Sequence, residues 1–345
     1  MTAEIQPIMD TWRDEHAADW RLAVCDVRAE ARGDGVALVG ETLDHATRDG
    51  LLAALTERWP GQTWVNEVAV LRDGARHMTT RRVVASVRRE PTEKSELLTQ
   101  TLLGETVEVL KTREGWAFVR LDMDGYLGWT PLHGLTESRL PDPTHLVSDP
   151  LADVFAGAGA QEVIGKLPFG VKVAVVGNEG GWAGVAMPDD SVGWTAAGGL
   201  LPLADRPSAD EAGIGHGLAW VRRYVGIPYL WGGRAPFGFD CSGLAQTFLR
   251  VLGVAAPRDA DMQFDVGALV AGDPQPGDLL FFGTPHYTAS GVARSAGVSH
   301  VAIALGGARY LHASQTIWGV GYGSLDPQSP AAYRGAAYLG ARRLR

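Results

Sequence analysis

One cysteine in this chain sits where a nucleophile would sit. Residues 238–243 read Gly-Phe-Asp-Cys-Ser-Gly. Beyond them Leu244, Phe248, Val251 and Leu252 fall at i, i+4, i+7 and i+8, one helical face, and Gly253 supplies the stop. The spacing predicts a loop that delivers Cys241 to the first turn of a helix. Unpaired N–H groups and the positive end of the helix dipole favour thiolate there. A cysteine nucleophile needs a base, and the base needs a group to orient it. Nine histidines are available. His300 opens Ser299-His300-Val301-Ala302-Ile303-Ala304-Leu305, a strand pattern whose small Ala302 and Ala304 would let a helix pack close. His312 lies in the next strand, Tyr310–Ser314.

Register sets a condition on that pair. The histidines are twelve residues apart. To face one side of a hairpin they need a loop with an odd number of residues, because side chains alternate along a strand. A three- or five-residue loop is expected. A two-residue Gly306-Gly307 turn would put the rings on opposite faces. The plain reading of a lone histidine is a core or surface residue, and His16, His45, His77, His133, His145 and His286 are read that way; His216 belongs to a helix. A zinc site from Cys241, His300 and His312 is the weaker alternative, because no closely spaced Cys/His or His/His ligand pair is present. No metal or other cofactor is expected.

The elements that must position these residues occupy the last of four units. At 345 residues the chain exceeds one ordinary core. A net charge of −9 offers no basic stripe for phosphates, so nucleic acid is an unexpected partner. No stretch is long enough to span a membrane, and the amino terminus shows no apolar leader. Two cysteines, Cys25 and Cys241, make no disulfide framework, so a reduced, cytoplasmic setting is expected. Cys25 is read as a buried structural thiol.

Residues 1–80 read as an α-β-β-α-β unit with a Gly33-Asp34-Gly35 turn and no evident chemistry. Residues 81–140 and 141–205 contain an internal repeat. Gly104, Trp116, Trp129 and Leu135 recur as Gly170, Trp182, Trp194 and Leu200, at an offset of 66 and then 65. Short alternating strands with Gly-Trp hairpins describe small β-barrels. Their tryptophans are read as barrel core. Tyr126, just before a Gly-Trp edge, is placed to reach a neighbouring cleft. Residues 208–345 hold helices first and then strands at 277–283, 298–305, 309–314 and 335–343. The fold class is α+β throughout, with helices on an antiparallel sheet in the last unit.

The ordered motifs of that unit carry a resemblance. Tyr229-x-Trp-Gly-Gly, Phe239-Asp240-Cys241-Ser242-Gly243, Pro257-Arg258-Asp259, Gly277–Phe282, His300-Val301-Ala302 and Leu311-His312 resemble the NlpC family of papain-like cysteine peptidases. The repeat resembles bacterial SH3-like domains. The combination is similar to the family's cytoplasmic γ-D-glutamyl-L-diamino acid endopeptidases of murein recycling. The resemblance implies Cys241 as nucleophile, His300 as base and His312 as its orienter. It implies substrate contacts from Tyr229, Asp240, Ser242, Arg258 and Tyr126, with Asp240 at the peptide's free α-amine and Ser242 at the D-Glu carboxylate. The implied partner is a murein peptide, L-Ala-γ-D-Glu-diamino acid. Two positions depart from the recycling pattern. Ala260 stands where a serine often follows Arg-Asp, and Leu98 where an acidic residue grips the amine, with Glu96 or Glu105 as substitutes. Export and action on intact wall peptides, or an inert wall-peptide binder, are the alternative functions.

Overall fold

The computed structural model describes residues 2–33, 35–286 and 295–344. The amino-terminal unit runs α1 (Thr2–His16), β1 (Cys25–Arg32), β2 (Gly35–Thr42), α2 (His45–Arg58), β3 (Trp64–Val70). Asp34 of the expected turn lies outside the described residues. β1 pairs antiparallel and β3 parallel with β2. Ile5 and Met9 of α1 and Leu51 and Leu55 of α2 bury one face of this sheet against Val27, Val36 and Leu38. The helices keep a polar outer side, as a two-layer unit requires.

Seven strands between Arg76 and Thr136 form one curled antiparallel sheet around Val87, Val107, Val109, Ala117, Val119 and Leu121. Its first strand, Arg76–Thr80, pairs with residues 106–109, so it belongs to this barrel rather than to the unit before it. Strands between His145 and Pro202 build a second barrel as a three-stranded and a five-stranded sheet. The two copies share register: Trp116 pairs with Pro131 and Trp182 with Ala196. Trp129 is buried, whereas Trp116, Trp182 and Trp194 are half-buried, so core describes only one of the four repeat tryptophans fully.

The last unit contains α3 (Glu211–Val221), α4 (Cys241–Val251), α5 (Ala260–Val266), a short pair of strands at 234–235 and 238–239, and a six-stranded sheet. The strands of that sheet are β4 (Ala268–Leu269), β5 (Leu279–Gly283), β6 (Val298–Gly306), β7 (Arg309–Ser314), β8 (Gly319–Ser324) and β9 (Ala337–Arg343), in the order β4-β9-β5-β6-β7-β8. The sequence reading anticipated neither α5 nor β8. β8 is Gly-Val-Gly-Tyr-Gly-Ser, whose glycines hide the strand signal.

α4 packs with Val301, Ile303, Leu311 and Ala313 on one face of the sheet. Ala302 and Ala304 point the other way, toward Phe282, Tyr310 and Ala341. The small residues therefore do not admit the helix, as their size suggested. They make room for aromatic rings. α4 is also buried on more than the one face its periodicity marks: residues Ser242–Leu249 are all buried, because α3, α5 and the short strand Arg234–Ala235 pack on its other sides.

Candidate active site

The nucleophile position is set by backbone chemistry. Asp240 is the N-cap of α4, extended at φ −91°, and its Oδ1 accepts the Gly243 N–H at 2.6 Å. A Cβ on Gly243 would lie 2.2 Å from the Gly233 carbonyl oxygen, so the close approach of the Trp231-Gly232-Gly233 turn requires glycine there. That turn is closed by the Asp240 N–H donating to the Gly233 carbonyl at 3.0 Å. Cys241 follows as the first helical residue, where its own N–H has no partner within the helix.

Burial, not the helix end, dominates the resting thiol. Its pKa is pushed up to about 12, by desolvation first and by the Asp240 carboxylate second. The Val301 N–H, the Arg258 guanidinium and the Ser242 N–H pull the other way. Burial thus favours the neutral thiol at rest, against the pull of the helix end. His300 is held down to about 3 by burial and His312, and His312 down to about 4 by burial. Either ion alone is penalised. A proton moved from Sγ to His300 creates both charges together as a contact pair, which escapes most of that penalty.

The hairpin meets its parity condition by a route the sequence reading did not foresee. Ile303 pairs with Leu311 and Ala304 with Tyr310. Leu305 then bulges, and Gly306 pairs with Arg309. The turn itself is two residues, Gly307-Ala308. The bulge adds the odd residue that returns both histidines to one face. Nε2 of His300 lies 2.9 Å from Nδ1 of His312, with the ring planes 76° apart. This leaves Nδ1 of His300 for the thiol. The β6–β7 pairing stops at Ile303 and Leu311, and Cys241 sits at the opening, where the Val301 N–H faces its sulfur.

Aromatic rings fix both imidazoles. Tyr333 stacks on His300 at 4.4 Å and 24°, Phe282 lies at 5.7 Å, and Tyr310 meets His312 edge-on at 5.2 Å. The Tyr333 N–H donates to the Tyr310 hydroxyl at 3.2 Å. Tyr333 escaped the sequence reading. It stands in an irregular segment with no period and no motif, and its place shows only after β5, β6 and β7 are assembled.

Of four buried residues expected to touch substrate, three touch one another and the fourth, Tyr126, bonds Asp259. Asp240, Ser242, Arg258 and Tyr126 are 7%, 5%, 1% and 3% exposed. Arg258 holds Asp240 through two nitrogens, at 3.0 and 2.5 Å, and also donates to Ser242 Oγ at 2.9 Å and to Thr99 Oγ1 at 2.7 Å. Asp240 Oδ2 accepts a further bond from the Gly232 N–H at 2.9 Å. Its carboxylate is saturated by these partners, which places Asp240 as the frame of the nucleophile rather than as an open amine receptor. Tyr126 lies among Leu98 and Met262 and donates to Asp259 at 2.9 Å. Tyr229 is half-buried, its phenol raised by burial and by the charges of Cys241 and Asp240.

The two proposed acidic substitutes separate cleanly. Glu105 is bonded by Arg234 at 2.8 and 2.9 Å and by Arg250 at 2.9 Å. Burial opposes its ionisation, yet the two arginines hold its carboxyl below the usual range. It lines a cavity of about 760 Å³ between the barrels and the C-terminal end of α4, whose walls include none of the three catalytic candidates. Glu96 is exposed and accepts from the Trp231 indole at 3.1 Å. Trp231 is 54% exposed, two residues from Tyr229.

Two stretches of the chain match known families. Residues 226–337 match the NlpC/P60 family, and residues 87–135 match the bacterial dipeptidyl-peptidase SH3 domain. The chain is 29% identical over 228 residues to a γ-D-glutamyl-L-lysine dipeptidyl-peptidase of Bacillus subtilis, covering 63% of this chain and 72% of that protein. It is 27% identical over 263 residues to dipeptidyl-peptidase 6 of Lysinibacillus sphaericus, covering 72% and 91%. A solved NlpC/P60 family protein from Bacillus cereus superposes with a TM-score of 0.65 at 22% identity, covering 78% of this chain and 99% of that one; that likeness concerns the fold. The chain thus carries an NlpC/P60 cysteine peptidase domain behind a bacterial SH3 domain, in an α+β architecture.

Proposed function

We propose that the chain hydrolyses the γ-D-glutamyl–diamino acid bond of small murein peptides in cytoplasmic recycling. The observation that carries this reading is the His300–His312 bond, formed next to the strand opening where the Val301 N–H faces the Cys241 sulfur, at a mouth bordered by the first barrel. In the proposed mechanism His300 takes the thiol proton as Sγ attacks the γ-carbonyl carbon. The oxyanion is held by the Cys241 N–H and the Tyr229 hydroxyl. Collapse expels the diamino acid's amine, which receives the proton from His300. Water, activated by His300, then cleaves the thioester. His312 keeps one tautomer of the base without adding charge. Glu96, exposed beside Trp231, receives the free α-amine in place of Leu98. The two free cysteines suit a reducing compartment.

The test is incubation with L-Ala-γ-D-Glu-diaminopimelate. L-Ala-D-Glu and free diaminopimelate are expected, and their absence would overturn the proposal. Cys241→Ala should abolish turnover; a variant that kept it would remove Cys241 from the nucleophile role. N-acetylated or polymeric substrate cleaved as fast as free tripeptide would favour an enzyme of intact wall peptides. Slow, ordinary alkylation of Cys241 together with no turnover would favour a binder.

A further inference from the structure

The amino-terminal unit reaches into the catalytic unit through one side chain. Arg21, between α1 and β1, donates to Asp259 at 2.9 Å and to both oxygens of Asp261, at 3.0 and 2.7 Å. Its Nε and the same Nη2 that reaches Asp261 also donate to Asp19, each at 2.8 Å. Its carbonyl accepts the Leu127 N–H at 2.8 Å, next to Tyr126. One residue thus binds the first barrel with its backbone and the catalytic unit with its guanidinium.

Asp259 shows what this bond does. It occupies the N-cap position of α5 with extended backbone, yet its side chain caps nothing. An aspartate there ordinarily accepts an N–H of the first turn. Here its Oδ2 instead accepts from the Tyr126 hydroxyl and from Arg21. Tyr126 is buried, and among the described residues its hydroxyl meets no other acceptor, so the turn of Asp259 also keeps that phenol paired. The neighbouring Arg258 frames Asp240 and Ser242, and Gln263 of α5 donates to the Ser242 carbonyl at 3.1 Å. The rotamer of Asp259 is therefore connected to the nucleophile segment from both sides.

We propose that Arg21 is a positioning residue. It holds Asp259 away from the α5 N–H groups and onto Tyr126, and so fixes the first barrel as a rigid wall of the peptide cleft. The wall's task rests on the proposed substrate reading; the positioning itself does not. Without Arg21 the carboxylate returns to cap α5 and releases Tyr126.

The test compares Arg21→Ala, Arg21→Lys and Asp259→Ser in the full chain. Arg21→Ala should raise KM for the free tripeptide roughly tenfold with kcat within about twofold. Arg21→Lys should recover part of the loss, since an ammonium keeps the charge but not the fork. Asp259→Ser gives α5 a hydroxyl that can cap it, which the parent side chain does not do, so its melting temperature should stay near that of the parent while KM rises as in Arg21→Ala. The double variant should be no worse than either single one. Amide exchange over residues 257–262, measured without substrate, should quicken in Arg21→Ala. Unchanged KM and unchanged exchange would overturn the proposal, as would losses that simply follow melting temperature. If the parent cleaves no tripeptide, the substrate reading falls, and the exchange measurement alone decides the role of Arg21.

Discussion

Strands 97–102 and 163–168 occupy the same place in two copies of one small fold, and they have opposite relations to the catalytic unit. In the first copy Thr99 accepts from Arg258, Gln100 from Arg234, and Glu105, just beyond the strand, from Arg234 and Arg250. Tyr126 bonds Asp259. The corresponding residues of the second copy are Gly165, Lys166, Val171 and Ser191. Lys166 pairs with Asp153 and Ser191 with Asp189, both inside their own barrel, and Val171 is core. The second barrel meets the catalytic unit elsewhere. Leu146 and Phe169 join its core, and Phe169 packs edge-on against Trp220 and Tyr224, behind α4. One copy is a wall of the site and the other a bracket. The barrel scaffold is common to both; the difference lies in four side chains on an edge.

Acid should part the two copies most strongly. Burial holds His300 and His312 at about 3 and about 4, and unfolding returns them to roughly 6.5. The unfolded chain then binds more protons, so stability complete above pH ~6.5 is lost as pH falls through the folded values, of order 5 kcal/mol by pH 4. Urea titrations from pH 7 to 4 measure this. Hydrogen exchange should show strand 97–102 loosening with the catalytic unit before strand 163–168 does.

Next in size is Glu105→Ala. It leaves Arg234, 1% exposed, buried without its carboxylate, and should cost roughly 3–5 kcal/mol in urea denaturation. Thr99→Val removes the hydroxyl that aims Arg258 and should lower kcat/KM roughly 10- to 100-fold at little change in expression or fold. Glu96→Gln should raise KM about tenfold for the free tripeptide and leave an N-acetylated analogue unaffected. Ser191→Ala, at the position matching Tyr126, should stay within about 0.5 kcal/mol of the parent and retain full activity. A second-barrel variant as damaging to kcat/KM as Thr99→Val would dissolve the distinction between wall and bracket.

Much of this was legible in the sequence, for identifiable reasons. Cys241 announced itself because a loop, a nucleophile and a helical stripe are local in the chain. The repeat announced itself because duplicated Gly-Trp spacings need no knowledge of contacts. What depends on three-dimensional assembly was not legible. The side of the sheet that receives α4 is set by Val301 and Ile303 against Ala302 and Ala304, and alternation alone cannot say which set faces a helix. The upward pull of burial on the thiol was not legible, because a helix end is visible in sequence and the surroundings of the side chain are not. Asp240 was read from its place beside the nucleophile, while its actual partner, Arg258, lies eighteen residues on. Arg21 carried no signal, since the carboxylates it reaches in the catalytic unit are more than two hundred residues away.

The bulge at Leu305 has a consequence for anyone aligning chains that contain this hairpin. Leu305 has no opposite number on β7, while Ala304 and Gly306 on either side keep theirs. A relative lacking that one residue can retain Ala304 opposite Tyr310, and with it the whole upstream correspondence of the two strands. A gap in such an alignment belongs at Leu305. Placed ahead of His300, it would set the preceding residue, here a serine, opposite His300 and make a working enzyme look like a dead one.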